Sequence, residues 1–510
     1  MKQRLPQILV MAFFIFSIPN LKAQVGINTT TPEESAALDI QSTESGLLIP
    51  RMTTAERNAI ADPATSLLIY DTDLNGYYFN EGTPAVPDWV LLLTSTNERE
   101  NFKLVNSTDD LSEELTAGGG STYELSEDTF YEINGTVVVD NPIDLNGAYV
   151  AGLDTSEDVL VNATGGTLFQ STSSGGSLRN LTLNGNGAQL FGISGDGSQN
   201  FIINNSVIVG ANSVGSFSNM NVVFFSIIQF VNNTGGLTSS DIHSYFFNLA
   251  YWNESNSGTF QDLSGSFTDI QFASGRIISE TGETGLDLSS NPSVSRSAVI
   301  TDVTFDGAGT RVNPYTGTGT YSGYNFTNDW EVASPGIPRE SDDNAFGNIY
   351  ITRNSTTGNP SFSIASATPI DASIDEGQLF RFSTDNANVT GNNNILVYEG
   401  QETRTFSVRG NLAFEPTTTS GGATVYAFYI RRFDSAGNSI EIPLGTEVYE
   451  EVGSATNSSS GDFLVRAIPL SGKVTLDPGD YVRIYGQFIS NSGSGARNNI
   501  RVYSVSLTLD

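Results

Sequence analysis

The chain has 510 residues, with 56 acidic side chains against 23 basic ones, no cysteine and a single histidine, His243. That excludes disulfide scaffolds, thiolate metal sites and Cys nucleophiles, any centre built on two imidazoles, and, at a formal net charge of −33, nucleic acid as a partner. Fifty-one glycines and only 15% charged residues, beside 38% hydrophobic ones, describe a turn-rich chain of short strands that can still bury a core. Residues 1–23 read as a secretory signal peptide. Lys2 and Arg4 are followed by the apolar run Ile8–Ile18 and then by Leu21-Lys22-Ala23 before Gln24. The run is about half the length that spans a bilayer, which disfavours the alternative of an uncleaved anchor. The expected mature protein is secreted or held at the cell surface, with no integral membrane span. Cleavage removes three basic side chains and no acidic one, so it is still more acidic.

Residues 24–100 form a small N-terminal module. Thr53-Thr54-Ala55-Glu56 fits a helix start, where a Thr and a Glu three apart each satisfy a backbone donor. Leu67–Tyr70 and Tyr77–Phe79 flank Asp71-Thr72-Asp73-Leu74-Asn75-Gly76, which reads as a hairpin. The same stretch begins like a calcium loop, but its twelfth position is Gly82 rather than a bidentate Glu and its flanks are strands. The module resembles one found in secreted proteins of Bacteroidetes and in phage tail fibres. The match lies in Val25–Pro32, Ala37-Leu38-Asp39-Ile40, Gly46–Thr53 and Leu68–Asp73. It implies attachment rather than chemistry. Residues 101–120 read as a linker.

Residues 121–310 carry a repeat in which a polar residue or Gly precedes two usually apolar positions spaced two apart. Its copies begin at Asn180, Asn200, Asn219, Asp241, Asp262, Gly285 and Asp302, separated by 20, 19, 22, 21, 23 and 17 residues. That period suits one coil of a β-solenoid, whose alternate side chains face a continuous lumen shared by stacked coils. The leading Asn or Asp suits a corner, where it tolerates a left-handed backbone and can stack in a ladder. A β-sandwich with recurrent strand spacing is the rival reading. The stretch, opening with Tyr131–Val139 and Ile143–Gly147, resembles the right-handed parallel β-helices of phage tailspikes and polysaccharide-acting enzymes.

Residues 311–345, rich in Gly, Thr, Tyr, Asn and Pro, read as a second linker with little regular structure. Residues 346–510 return to short alternating strands separated by turns such as Asp434–Asn438 and Asp477–Asp480, the pattern of a sandwich or jelly roll. Asn394–Gly400, Thr403–Phe406, Phe428–Arg431 and Val474–Tyr481 resemble the C-terminal head of phage tail and virion proteins. The last of these is also similar to a strand of the trimeric jelly rolls of the complement C1q and tumour-necrosis-factor class. That resemblance implies a trimeric head that binds or caps without catalysis. The expected fold is all-β: a parallel β-helix shaft, a C-terminal jelly-roll β-sandwich and a small N-terminal module.

Candidate chemistry is sparse. Glycoside hydrolysis needs two carboxylates across a groove, and Asp241, Asp262, Asp269 and Asp302 are available on the solenoid, although corner roles account for three of them. A lyase would want a base such as Arg276 or Arg179. His243 sits between two lumen-facing positions and is expected to point outward. No Gly-x-Ser-x-Gly elbow accompanies it, and Gly118-Gly119-Gly120 lacks the Lys of a phosphate loop. Phe224, Phe225, Phe230, Tyr245, Phe246, Phe247, Tyr251 and Trp252 crowd one part of the solenoid. Most belong in a core. Tyr245, Tyr251 and Trp252 are expected on an outer face, where flat rings stack on sugars or pack against another protomer. The functional expectation is a secreted, homotrimeric, fibre- or tailspike-like protein that recognises a surface glycan or protein receptor, without catalysis, metal or cofactor. The alternative is a β-helix polysaccharide depolymerase, either glycoside hydrolase or lyase.

Overall fold

The computed structural model describes residues 24–92, 101–317, 319–352, 362–370, 374, 376–389, 394–417, 422–442, 445–453, 465–493 and 497–510. Residues 1–23, read from the sequence as a signal peptide, lie outside them. The chain divides into two units, one ending at Arg99 and the other beginning at Glu100.

In the first unit, Arg51–Met52, Leu68–Asp71, Gly76–Asn80 and Trp89–Leu91 form a four-stranded sheet, and Val25–Ile27 pairs in parallel with Leu38–Ile40. The helix Thr54–Asn58 starts at Thr53, whose side chain accepts from the Glu56 N–H while the Glu56 carboxylate accepts from Thr53 N–H at 2.8 Å. Leu68–Asp71 and Gly76–Asn80 are the expected hairpin. Asp71 is fully buried there. It accepts from the Thr54 hydroxyl at 2.9 Å and from the N–H groups of Asp73 and Leu74, and it pairs with Arg57 at 3.0 Å. The apolar core is small: among residues 24–92, Ile69 is the only large aliphatic or aromatic side chain fully buried.

The second unit contains a three-sided parallel solenoid. Its strands stack coil on coil in three ladders. One ladder starts with Phe102–Val105, Phe130–Ile133 and Tyr149–Ala151 and ends at Trp330–Ala333. A second starts with Thr136–Val139, Val159–Asn162 and Thr182–Asn184. The third runs from Tyr123–Glu124 through Gln189–Ser194 and Ser213–Ser218 to Thr310–Asn313. Neighbouring coils are offset by 19 residues where Phe130 meets Tyr149 and by 32 where Val299 meets Glu331. Long strands such as Asn200–Val209 and Val222–Val231 turn a corner within themselves and contribute to two ladders.

Inside, consecutive coils place like on like. Phe225 stacks on Phe247 at 4.6 Å with ring planes 7° apart, and Phe247 stacks on Phe272 at 5.3 Å. The buried Asn233 and Asn256 bond to each other at 2.9 Å and cap the carbonyls of Ile208 and Phe230. This is the ladder expected of corner asparagines, on two residues outside the repeat read from the sequence.

Both stretches read as linkers carry solenoid structure. Residues 101–120 hold the first strand, Phe102–Val105, and then Thr108–Leu111 and the helix Ser112–Ala117, which lays Leu111 and Leu115 on the core. An open solenoid end would expose unpaired backbone and apolar lumen, so a covering element is required. Here Lys103 reaches Glu114 at 2.7 Å, and the Tyr131 hydroxyl donates to the same carboxylate at 2.9 Å. At the other end, residues 311–345 include most of Thr310–Asn313 and all of Trp330–Ala333, with Tyr315, Phe326 and Trp330 buried.

The C-terminal part is a jelly-roll sandwich of two antiparallel sheets. One is built on Phe346–Thr352, Asn499–Leu509, Arg404–Pro416 and Arg466–Leu476. The other is built on Leu396–Tyr398, Tyr481–Asn491 and Thr424–Phe433. Tyr426, Phe428, Ile430, Val482 and Ile484 from one sheet meet Leu412, Phe414, Val505 and Leu507 from the other.

Candidate functional site

The three faces of the solenoid differ in what they show to solvent. On the first ladder, the outward column reads Phe102, Phe130, Tyr149, Ser177, Ile202, Phe224, Phe246, Gln271 and Val299 in successive coils. Phe130 stacks on Phe102 at 5.8 Å and on Tyr149 at 5.4 Å. This is the aromatic face. On the second ladder, the outward positions include Thr136, Val138, Val159, Val161, Thr182, Val207, Val209, Gln229, Val231 and Tyr251. This is the valine face. The third ladder turns outward Glu124, Asp144, Gln170, Ser216, Thr238, Asp262, Asp287 and Asn313. On this polar face, hydroxyls, carboxamides and carboxylates stand coil above coil at the strand spacing of about 4.8 Å.

Between the aromatic and valine faces runs a corner of left-handed residues: Asn180, Asn205, Ile227, Leu249, Ser274 and Asp302, with φ between 47 and 60°. Asn205 donates to Asn180 at 2.9 Å. Of the repeat heads read from the sequence, Asn180, Asn219, Asp241 and Asp302 adopt the expected left-handed backbone, while Asn200 and Asp262 sit in strands.

The aromatic assignment needs correction. Tyr245 and Trp252 are fully buried, and only Tyr251 remains outward, 39% exposed. The Tyr245 hydroxyl donates to Gln261 at 2.6 Å inside the lumen, and Trp252 stacks on Phe260 at 4.7 Å. Phe224 and Phe246 are the rings that face out beside Tyr251. The cause is the corner. Asp241 and Leu249 both take left-handed φ, the pairing slips between Ser240 and Ile242, and the in–out alternation restarts.

The candidate carboxylates are mostly spent on holding coils together. Asp241 accepts from the N–H and hydroxyl of Ser266, each at 3.0 Å. Asp269 is gripped by Arg296 through Nε at 2.7 Å and through Nη2. Arg276 pairs with Asp306 one coil on. Asp302 is an exposed corner residue, Arg179 is exposed, and His243 points outward as expected, within 3.0 Å of the Ser244 hydroxyl. Asp262 differs. It lies directly across from Asp287 in the next coil. Burial, then the neighbouring Asp287 charge, push its carboxyl above the usual range. Burial acts on Asp287 too, but the Ser289 and Asn313 donors hold it below its ordinary value. Nothing in the repeat pattern marked Asp287, which follows Leu286 as an ordinary strand residue.

Sequence reading also missed the junction between solenoid and jelly roll. Arg381, fully buried and left-handed at φ 54°, donates to Glu331 at 2.7 Å, to Asp342 and to the Trp330 carbonyl. Asp342 in turn accepts from the N–H groups of Gln401 and Glu402, each at 2.8 Å. The Tyr321 hydroxyl donates to Glu399 at 2.6 Å, and Tyr324 stacks on Phe380 at 4.0 Å. Glu340 accepts from Asn325 and Phe326 N–H groups, and burial lifts its carboxyl to about 7.

Residues 26–107 match the family described as a phage tail like trimerisation region. No curated protein matches the chain. Among solved structures, the chain is similar to the enzymatically active domain of bacteriophage CBA120 tailspike protein 4, at 10% identity and a TM-score of 0.25 over 92% of this chain and 78% of that one. It is also similar to the phiAB6 tailspike, solved in complex with three-repeated oligosaccharides of Acinetobacter baumannii surface polysaccharide. That likeness is at 10% identity and a TM-score of 0.22 over 84% of this chain and 98% of that one. Murine APRIL aligns over 32% of this chain and 98% of its own, at 9% identity and a TM-score of 0.20.

Proposed function

We propose that the protein is a secreted, homotrimeric fibre-like protein in which the solenoid is a rigid shaft and the C-terminal jelly roll recognises a surface glycan or protein receptor. The observation that carries this reading is the N-terminal unit. It matches a trimerisation region, and yet in one protomer it leaves Leu47 and Leu48 65% and 73% exposed around a core with one fully buried aliphatic side chain. A stretch of this size cannot stand on so small a core and is completed by association. Recognition without cleavage is supported by the way Asp241, Asp269 and Asp302 serve coil contacts and corners.

A glycan-array screen of the full mature protein, followed by a reducing-end and unsaturated-product assay on each glycan bound, tests this. The expected result is binding with no new ends; no binding to any glycan or protein receptor contradicts it. The Asp262–Asp287 pair favours a second reading, because two facing carboxylates with opposite pKa displacements are what acid and base roles need. Product release that disappears in Asp262→Asn would establish that reading instead.

A further inference from the structure

We infer that the aromatic and valine faces of the solenoid are the contact between copies of this chain, leaving the polar face to solvent. The inference rests on the homotrimer reading and names the surface that the copies share. The chain carries 56 acids, yet Asn200–Val209, Val222–Val231 and residues 244–252 contain no charged residue at all. These segments form the aromatic and valine faces and the corner between them over three successive coils. The polar-face strands of the same coils, Ser213–Ser218 and residues 237–240, are equally uncharged, so charge admits these coils to a contact and apolarity selects the faces. Copies of a chain at net charge −33 repel one another, so a surface on which they meet has to be cleared of charge. A basic partner would instead be met by an acidic face.

Apolarity points the same way. Ile202, Phe224 and Phe246 form one outward column and Val207, Val209 and Val231 lie outward across the corner, with Asn204, Ser226 and Asn248 between them; apolar side chains gathered on a surface in this way mark an interaction site. The polar face of the same coils turns out Ser216 and Thr238. The corner adds an independent sign. Ile227 and Leu249 hold left-handed backbones, at φ 58 and 54°, while their side chains are 44% and 49% exposed. A left-handed backbone is costly for a residue with a Cβ, and a β-branched residue there is a genuine outlier. Asn180 and Asn205 show what the corner accepts cheaply. Ile and Leu in place of Asn leave half-exposed apolar side chains at a strained corner, and a neighbouring copy that receives them offsets that cost.

The absence of cysteine makes the test clean. Gln229→Cys and Leu249→Cys probe the inferred contact, and Ser216→Cys and Thr238→Cys probe the polar face; all four positions are exposed in the single protomer. Each full-length variant is labelled with a maleimide under native conditions, with its mass followed by light scattering. The expected result is a trimer in which Gln229→Cys and Leu249→Cys react on the order of tenfold more slowly than the polar-face pair, since they are reached only through opening. A trimer in which all four react alike overturns the inference and leaves the trimer standing. A monomer overturns both. Fast labelling at Gln229→Cys that slows only when a glycan is added makes this surface a ligand site and also overturns it.

Discussion

Glu340 makes the fold sensitive to pH. Its carboxyl is buried among Asn325, Phe326, Tyr324 and the Arg381 guanidinium, and burial raises it from 4.5 to about 7. Between those two values the folded protein keeps a proton that the unfolded chain has released. Stability therefore falls as pH rises through that window, by a total on the order of 3 kcal/mol. The expected observation is a thermal midpoint higher at pH 5 than at pH 7.5, with a slope that flattens in Glu340→Gln; an unchanged slope would remove Glu340 as its source. At this scale the sequence was partly legible. His243 pointing outward and the left-handed Asn180, Asn219, Asp241 and Asp302 followed from residue type and strand alternation. Tyr245 and Trp252 did not, because each corner resets the count that alternation depends on. Glu340 and Arg381 gave no local sign, since what buries them comes from residues far along the chain.

At the scale of elements, the coil was legible and its phase was not. Heads spaced 17 to 23 residues apart marked a solenoid, but the paired register runs from 19 to 32 because coils carry turns of different length. The heads therefore drift from one corner to another: Asn180 and Asp302 lie between the aromatic and valine faces, whereas Asp262 lies in the polar face. The covering elements at 102–117 and 310–333 read as linkers because their polar turns hide single apolar contacts such as Leu111 and Trp330. The joint between solenoid and jelly roll is also an element-scale device, since Arg381 binds a solenoid strand and the segment that follows it at once. Arg381→Ala leaves Asp342 buried without its partner, a loss on the order of 3–5 kcal/mol. Calorimetry is expected to show the head melting separately from, and below, the shaft in Arg381→Ala as the two uncouple, where the unaltered protein melts them together. A single transition at the original midpoint would mean the joint contributes little.

At the scale of the whole molecule, the account turns on association. The N-terminal unit has only a small core, and three successive coils of the solenoid turn out apolar side chains and no charge on a chain that is otherwise strongly acidic. Both features are costly for a solitary protomer and sensible for copies that meet. Acidic charge elsewhere keeps such an assembly soluble and sets its salt dependence, since screening weakens the repulsion between copies. The most direct test is sedimentation equilibrium of residues 24–510 across micromolar concentrations at physiological salt. Three chain masses, independent of concentration, is the expected result; a stable single chain mass would contradict the account.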